Sequence, residues 1–369
     1  MKFVCDSTQL YEACQILQRA ASVKTTIEAV EGILIVAGDN SLKLTGYDLE
    51  MGITTTIDAF VEQKGKILLK ASTFTEILRK LPSEKVSVES DARNIAKITS
   101  GEFKSSLIGR DPDEYPELPA VVGGYAVSIK ETVFKDMIRK TIFSVAVKDT
   151  KIVHTGVRFE IENNNIRMIA VDGVRLAIRN EPIAYDGDPL TFVVPAKTLS
   201  EILKILGDGD ERIEMSVGNK HIIMDIGGYR FVSRLLEGEF LNYRGAIPSV
   251  CKTQVRVKTE MLLDSVERTS NIINDKIKNP VKCSFNSSGI NVSAVGAIGN
   301  TEEKISAEIT GDECVIGFNN KYVIDALRVC DCDEVNLLLN GPIAPILIKP
   351  IEGDDFIFLI LPVRLKNEN

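Results

Sequence analysis

Apolar residues in this chain recur with two alternating periods, and the alternation occurs three times. The segments TFTEILRKLP, TLSEILKILG and YVIDALRVC, opening at Thr73, Thr198 and Tyr322, place apolar side chains at i, i+3, i+4 and i+7. Phe74, Leu199 and Val323 coincide, as do Ile77, Ile202 and Ala326; Leu78, Leu203 and Leu327; and Leu81, Leu206 and Cys330. That spacing predicts an amphipathic helix in each copy. The polar face repeats too: Glu76, Glu201 and Asp325 are each followed three residues on by Arg79, Lys204 or Arg328, the spacing of an i, i+3 ion pair. The copies lie 125 and 124 residues apart.

A second helix recurs near the start of each copy. Phe3, Val127 and Val255 open a short strand with Cys5, Ile129 and Val257 on the same face. Leu10, Phe134 and Leu262 begin the helix that follows, and Cys14, Ile138 and Val266 lie one turn on. A third echo is a strand in which Leu42, Ile166 and Ile290 align, as do Leu44, Met168 and Val292. The turn signals AGDNSL, ENNNI and NSSGI predict hairpins. Each unit therefore reads strand, helix, several strands, strand, helix, several strands, an α+β pattern in triplicate. Breaker-rich stretches at Arg110–Gly124 and Arg244–Thr253 divide the chain into 1–121, 122–248 and 249–369, and residues 366–369 are expected to form a disordered tail.

Within the second unit, IRMIAVDGVRLAI (Ile166 to Ile178) alternates, turns at Asp172 and Gly173, and ends in an apolar run broken only by Arg175. Such a turn is compatible with a substrate site, a structural bend or the wall of a peptide groove.

Composition narrows the function classes. At 369 residues, 44% hydrophobic and 26% charged, the chain is long enough for two or three domains and is expected to be globular. No apolar stretch approaches the length of a membrane span, and MKFVCDSTQLYEACQIL lacks the features of a signal peptide, so a cytoplasmic protein is expected. The seven cysteines include no C-x-x-C pair. Cys330 and Cys332 form a C-x-C that no second pair answers, and with two histidines, His154 and His221, no zinc site is expected. The thiols read as buried or incidental ones in a reducing compartment. A net charge of −8 argues against coating nucleic acid with the whole surface but leaves room for a local basic face.

Specific stretches then carry a family resemblance across all three units. They are MKF at the start, LTGYDLEM (Leu44 to Met51), VDGVRLAI (Val171 to Ile178), EFLNYRGAIP (Glu239 to Pro248), GFNNKYVIDAL (Gly317 to Leu327) and LPVRL (Leu361 to Leu365). Together they resemble the bacterial DNA polymerase III beta subunit, the replication sliding clamp. The resemblance implies a DNA-clamp fold of three repeated domains, each with two helices packed on antiparallel sheets. It also implies a head-to-tail homodimer closed into a ring, with helices lining the hole. Duplex DNA would be encircled without sequence specificity. The partners would be the replicative polymerase catalytic subunit, a clamp loader and other clamp-binding repair and replication proteins. No cofactor, metal, membrane or catalysis is implied.

Carried over by motif, a hydrophobic peptide groove would comprise Val171, Gly173, Val174, Arg175 and Leu176; Leu241 and Ala246; Ile277; Asn319 and Tyr322; Ile343 and Pro345; and Ile360, Leu361, Pro362, Val363, Arg364 and Leu365. Gly245, where many relatives carry arginine, and His154, where they carry an apolar residue, depart from the pattern. Residues facing DNA would be Lys24, Arg79, Lys80, Arg139, Lys140, Lys148, Lys197 and Lys204. Charge spacing alone reads most of these as solvated helix surface. Phe103, Ile272 and Ile273, in EFKSSL and SNIIND, would centre the ring interface or else belong to the cores of their own domains.

Two other classes compete. An enzyme would need a nucleophile, metal or phosphate-loop signature, and no H-E-x-x-H, G-x-S-x-G or P-loop is present. A monomeric three-domain peptide-binding adaptor would share the groove but not the ring.

Overall fold

The computed structural model describes residues 1–22, 26–121, 124–148, 150–273 and 280–365. The first repeat runs β1 (Lys2–Asp6), α1 (Ser7–Leu17), β2 (Gly32–Gly38), β3 (Ser41–Tyr47), β4 (Met51–Asp58), β5 (Phe60–Gln63), β6 (Gly65–Lys70), α2 (Ala71–Leu78), β7 (Lys85–Ser90), β8 (Ile95–Ser100) and β9 (Phe103–Ile108). The second runs β10 (Tyr125–Lys130), α3 (Glu131–Ile142), β11 (Gly156–Glu162), β12 (Asn165–Val171), β13 (Arg175–Pro182), β14 (Leu190–Pro195), α4 (Ala196–Leu203), β15 (Arg212–Val217), β16 (His221–Ile226) and β17 (Tyr229–Arg234). The third runs β18 (Thr253–Lys258), α5 (Thr259–Ser270), β19 (Val281–Asn286), β20 (Gly289–Gly296), β21 (Gly299–Ile305), β22 (Glu308–Gly311), β23 (Cys314–Phe318), α6 (Asn320–Arg328), β24 (Glu334–Leu339), β25 (Ile346–Pro350) and β26 (Phe356–Ile360).

These elements form two compact units, and the second repeat is shared between them. One unit, 1–131 with 204–235, holds a five-stranded sheet ordered β5-β1-β7-β8-β9. Its second sheet has eight strands, ordered β10-β15-β16-β17-β4-β3-β2-β6. The other unit, 132–203 with 236–369, holds a nine-stranded sheet ordered β14-β11-β12-β13-β26-β25-β24-β18-β22 and a four-stranded sheet ordered β21-β20-β19-β23. In each unit one antiparallel pairing carries a sheet across a repeat boundary: β17 with β4, Tyr229 opposite Thr55, and β13 with β26, Arg175 opposite Ile360.

Most of the repeated apolar positions are core positions, with Ile77, Leu81, Leu203 and Cys330 half-buried. Leu10, Phe134 and Leu262 are buried, as are Cys14, Ile138 and Val266, and Leu42, Ile166 and Ile290. The second helices bury Phe74, Leu199 and Val323. A helix in this fold presents one apolar stripe, and the sheet beneath it must match that stripe. The central strands of the nine-stranded sheet are buried on both faces. Ala177, Phe358 and Ile360 face one apolar cluster with α5 and α6, whereas Leu176, Ile178 and Leu359 face a second with Phe240 and Tyr243. That is why β13 reads as a nearly continuous apolar run rather than an alternating one.

Two of the expected hairpins turn through paired left-handed residues. Gly38 and Ser41 pair across Asp39 (φ 48°) and Asn40 (φ 57°), and Glu162 and Asn165 pair across Asn163 (φ 51°) and Asn164 (φ 56°). Positive φ at both central residues matches the strand twist in a two-residue hairpin, and Asp and Asn tolerate it. Asn40→Gly should therefore leave stability nearly unchanged, whereas Asn40→Val should cost about 1–2 kcal/mol. Urea unfolding of the two variants beside the parent checks this, and equal midpoints for both would refute it.

Candidate functional site

The turn in the second repeat begins with Asp172, whose Oδ1 accepts from the backbone N–H of Val174 at 3.1 Å and of Arg175 at 3.0 Å. Gly173 sits at φ +89° with open space where a Cβ would be, so the backbone conformation is what favours glycine there. The first repeat builds the same bend. Asp48 Oδ1 accepts from Glu50 and Met51, and Leu49 adopts φ 76°. The bend is thus a property of the repeat. The guanidinium is specific to the second copy, because Met51 stands where Arg175 stands.

Arg175 shares its strand face with Ala177 and points toward the helices. It is buried. Its Nε donates to Asp172 Oδ2 at 2.8 Å and its Nη1 to Asp325 Oδ2, on α6, at 2.7 Å. The guanidinium lies 4.6 Å from the Tyr322 ring centroid and 5.6 Å from that of Phe143. Two carboxylates and two rings replace the water that burial removes. Asp325 stands three residues before Arg328 on the helix. Its carboxylate turns to Arg175 instead, and Arg328 pairs with Glu267 at 2.8 Å. The first repeat keeps the expected local pair, Glu76 with Arg79.

Beside this cluster the chain end is laid along the sheet. The Leu361 N–H donates to the Val174 carbonyl at 2.9 Å, and the Val363 N–H to the Gly317 carbonyl at 2.8 Å. A Cβ at Gly317 would meet the Val363 carbonyl oxygen at 2.7 Å, so glycine permits the close approach. Asn319 caps α6 by accepting from the Lys321 N–H. Val171, Leu176 and Ile360 are buried wall residues, whereas Val174, Leu241, Leu361 and Ile343 leave 39%, 42%, 40% and 81% of their surface in solvent. Gly173, Ala246 and Arg364 are exposed, and Tyr322, Pro345, Pro362, Val363 and Leu365 are half-buried. Ile277 lies outside the described residues.

The stretch carrying Leu241 and Ala246 is tethered from below. Glu160 is buried and accepts from the Tyr243 hydroxyl at 2.8 Å and from Arg244 at 3.0 Å. Burial opposes its ionisation, but those two donors and the Arg158 and Arg244 charges outweigh it and hold the carboxyl below its ordinary range. A polar cavity of about 360 Å³ adjoins this tether, with Arg158, Thr191, Phe240 and Asn242 among its lining. At the two departures, His154 packs edge-on against Phe240 at 5.4 Å, and a side chain at Gly245 would meet open space. Asp172, Asp325, Phe143 and Glu160 were absent from the expected set. The repeat alignment, which marks Asp172 beside Asp48, carried a signal for the first. Nothing local marks Phe143 or Glu160.

The basic candidates divide. Arg79, Lys80, Arg139, Lys148, Lys197 and Lys204 are exposed, Arg79 and Lys80 both pairing with Glu76. Lys140 corrects the expectation. Its side chain is 6% exposed, its Nζ lies 2.8 Å from Asp136 and 2.7 Å from Asp331, and it caps the Phe356 ring, so its charge is consumed internally. Lys24 and the tail 366–369 lie outside the described residues. Phe103 is 37% exposed on β9, an edge strand, and Ile272 and Ile273 pack partly against the core of their own unit.

Comparison with known proteins follows the repeats in order. Residues 1–119, 128–242 and 244–364 match the N-terminal, central and C-terminal domains of the DNA polymerase III beta subunit. The beta sliding clamp of Halalkalibacterium halodurans is 34% identical, over 99% of this chain and all of that protein. Among solved structures, the DNA polymerase sliding clamp of Bacillus subtilis superposes with a TM-score of 0.97 at 33% identity, covering 99% of this chain and 100% of that one. A putative DNA polymerase III beta subunit from Eubacterium rectale superposes at 0.95 and 37%, covering 98% and 99%. With the triplicated fold and three domain matches in register, the chain belongs to the DNA polymerase III beta subunit family, the beta sliding clamps.

Proposed function

We propose that the protein is a non-enzymatic processivity factor of the cytoplasm: two copies join head to tail into a ring around duplex DNA. In this reading the ring slides without sequence specificity and holds the replicative polymerase at its template. Other replication and repair proteins dock at the same place, and a clamp loader opens the ring. Retention by closure suits an acidic protein, since phosphate contacts need to be weak and register-free for sliding. A tethered polymerase gains effective concentration at the primer end without tighter binding of its own.

The observation that carries the docking part is the Arg175 cluster beside the laid-down chain end. It adjoins exposed Val174 and Leu361, with Ile343 also exposed, and apolar side chains offered to solvent beside fixed polar groups are the form of site that takes a short peptide. Ring closure is supported by two edge strands, β9 and β21, which have neighbours on one side within their own sheets. Phe103 and Ile108 on β9 are 37% and 85% exposed, and antiparallel pairing with the other copy would cover both the backbone groups and these side chains. Exposed Arg79, Lys80, Arg139, Lys148, Lys197 and Lys204 remain the DNA-facing candidates, with Lys140 withdrawn.

Arg175→Ala should weaken binding of a fluorescent peptide bearing Leu and Phe by at least tenfold, about 1.4 kcal/mol. Asp325→Asn should fall between the variant and the parent, with thermal melting confirming that both variants fold. Parental affinity in Arg175→Ala would remove the cluster from the site. Negative-stain electron microscopy, classified without imposed symmetry, should show closed six-lobed rings with a hole wide enough for duplex DNA. Ile108→Asp should shift particles toward single chains. Compact single chains for the unaltered protein would refute the ring and leave a monomeric adaptor.

A further inference from the structure

We propose that the polar cavity over strand β11 is a subsite for one acidic side chain, a glutamate or aspartate flanking the apolar residues of a docked partner peptide. The inference rests on the peptide-docking reading above and adds the charge that the peptide carries. Arg158 and Glu160 stand two residues apart on β11 and so share one face of the nine-stranded sheet. The register sets Arg167 of β12 and Thr191 of β14 opposite Glu160, one on either side. Residues 240–244 lie against that face, and between them and Thr191 is the cavity of about 360 Å³. Leu241 belongs both to this lining and to the expected groove, so a peptide seated on Leu241 has the cavity beside it.

The cavity holds a surplus of donors. Glu160 is buried and both of its oxygens are engaged. Its Oε2 accepts from the Tyr243 hydroxyl and from Arg244, with Arg167 at 3.6 Å, and its Oε1 lies 2.9 Å from Arg158 Nε. The Arg158 contact lacks the direction of a hydrogen bond, and the Arg158 guanidinium donates no hydrogen bond among the described residues. The Phe240 ring, 5.5 Å away, holds that guanidinium in place. Arg244 keeps 60% of its side chain in solvent.

Three guanidiniums thus surround one carboxylate. Glu162, the second acid of the lining, is nearly half exposed and lies 3.7 Å from Arg244. A guanidinium carries only donors, and its planar fork matches the two oxygens of a carboxylate. An incoming carboxylate therefore finds unused N–H groups, with Thr191 and Asn242 as neutral neighbours. An incoming cation finds the Glu160 oxygens already occupied.

The test measures fluorescence anisotropy of the full-length protein with peptides that share one Leu–Phe core. The parent peptide is uncharged, and two others carry Glu on the N-terminal or the C-terminal flank. One of the Glu peptides should bind at least fivefold more tightly than the parent, and added salt should reduce the gain. Lys at the same position should bind no better than the parent, although the net charge of −8 attracts cations in general. In Arg158→Gln and in Arg244→Ala, the ratio of Glu-peptide to parent affinity should fall toward one. Taking the ratio within each variant cancels any change that the variant makes to apolar docking. Equal binding of parent and Glu peptides by the unaltered protein would overturn the subsite and leave peptide docking standing. Binding of none of the peptides would overturn both. A gain that Lys matches, or one that survives in both variants, would also overturn the subsite. The peptide comparison on the unaltered protein decides the matter even if a variant misfolds.

Discussion

Burying one guanidinium sets the terms for the region around the chain end. Arg175 sits on a strand whose two faces are both covered, where an unpaired charge would cost several kcal/mol. Its position is tolerable because Asp172 reaches it from its own turn, Asp325 reaches it from α6, and the Tyr322 ring lies beneath it. These partners come from two different repeats, so satisfying the charge ties strand β13 of the second repeat to helix α6 of the third. With that tie in place, β26 pairs with β13 and the residues after Ile360 continue past Val174 and Gly317.

The same logic of shared burial governs the repeats. Among the described residues each copy has two helices with one apolar stripe each, and its strands are completed by neighbours from the adjoining copy. The boundaries between copies are closed by backbone pairing, β17 with β4 and β13 with β26, so that a sheet runs on where the sequence repeat ends. The second repeat consequently lends its strands to two sheets in two units. Strands β9 and β21 are among those that end their sheets, and β9 leaves Phe103 and Ile108 exposed.

Some of the site was legible and some was not, for identifiable reasons. The Asp172 turn could be read because it is local: an acid, a residue with positive φ and two backbone donors lie within four residues, and the first repeat spells the same bend at Asp48. Arg175 could be noticed as one charge in an apolar run, but its role could not be read. A partner 150 residues away, as Asp325 is, leaves no local trace. The repeat alignment places Asp325 three residues before Arg328, as Glu76 stands before Arg79, and carries no trace of Arg175. Lys140 failed for a related reason. At its helical position it resembles any surface lysine, and only the approach of Asp331 and Phe356 from the third repeat encloses it.

The sequence by itself determined the triplication, the core-facing position of each helix and the two hairpins that turn on Asp and Asn residues, because hydrophobic period and turn chemistry act over a few residues. Tertiary structure alone decided which charges are spent inside the molecule. Whether Arg175, Asp325 and Lys140 face water or one another depends on which repeats share a sheet, and backbone pairing between distant segments settles that.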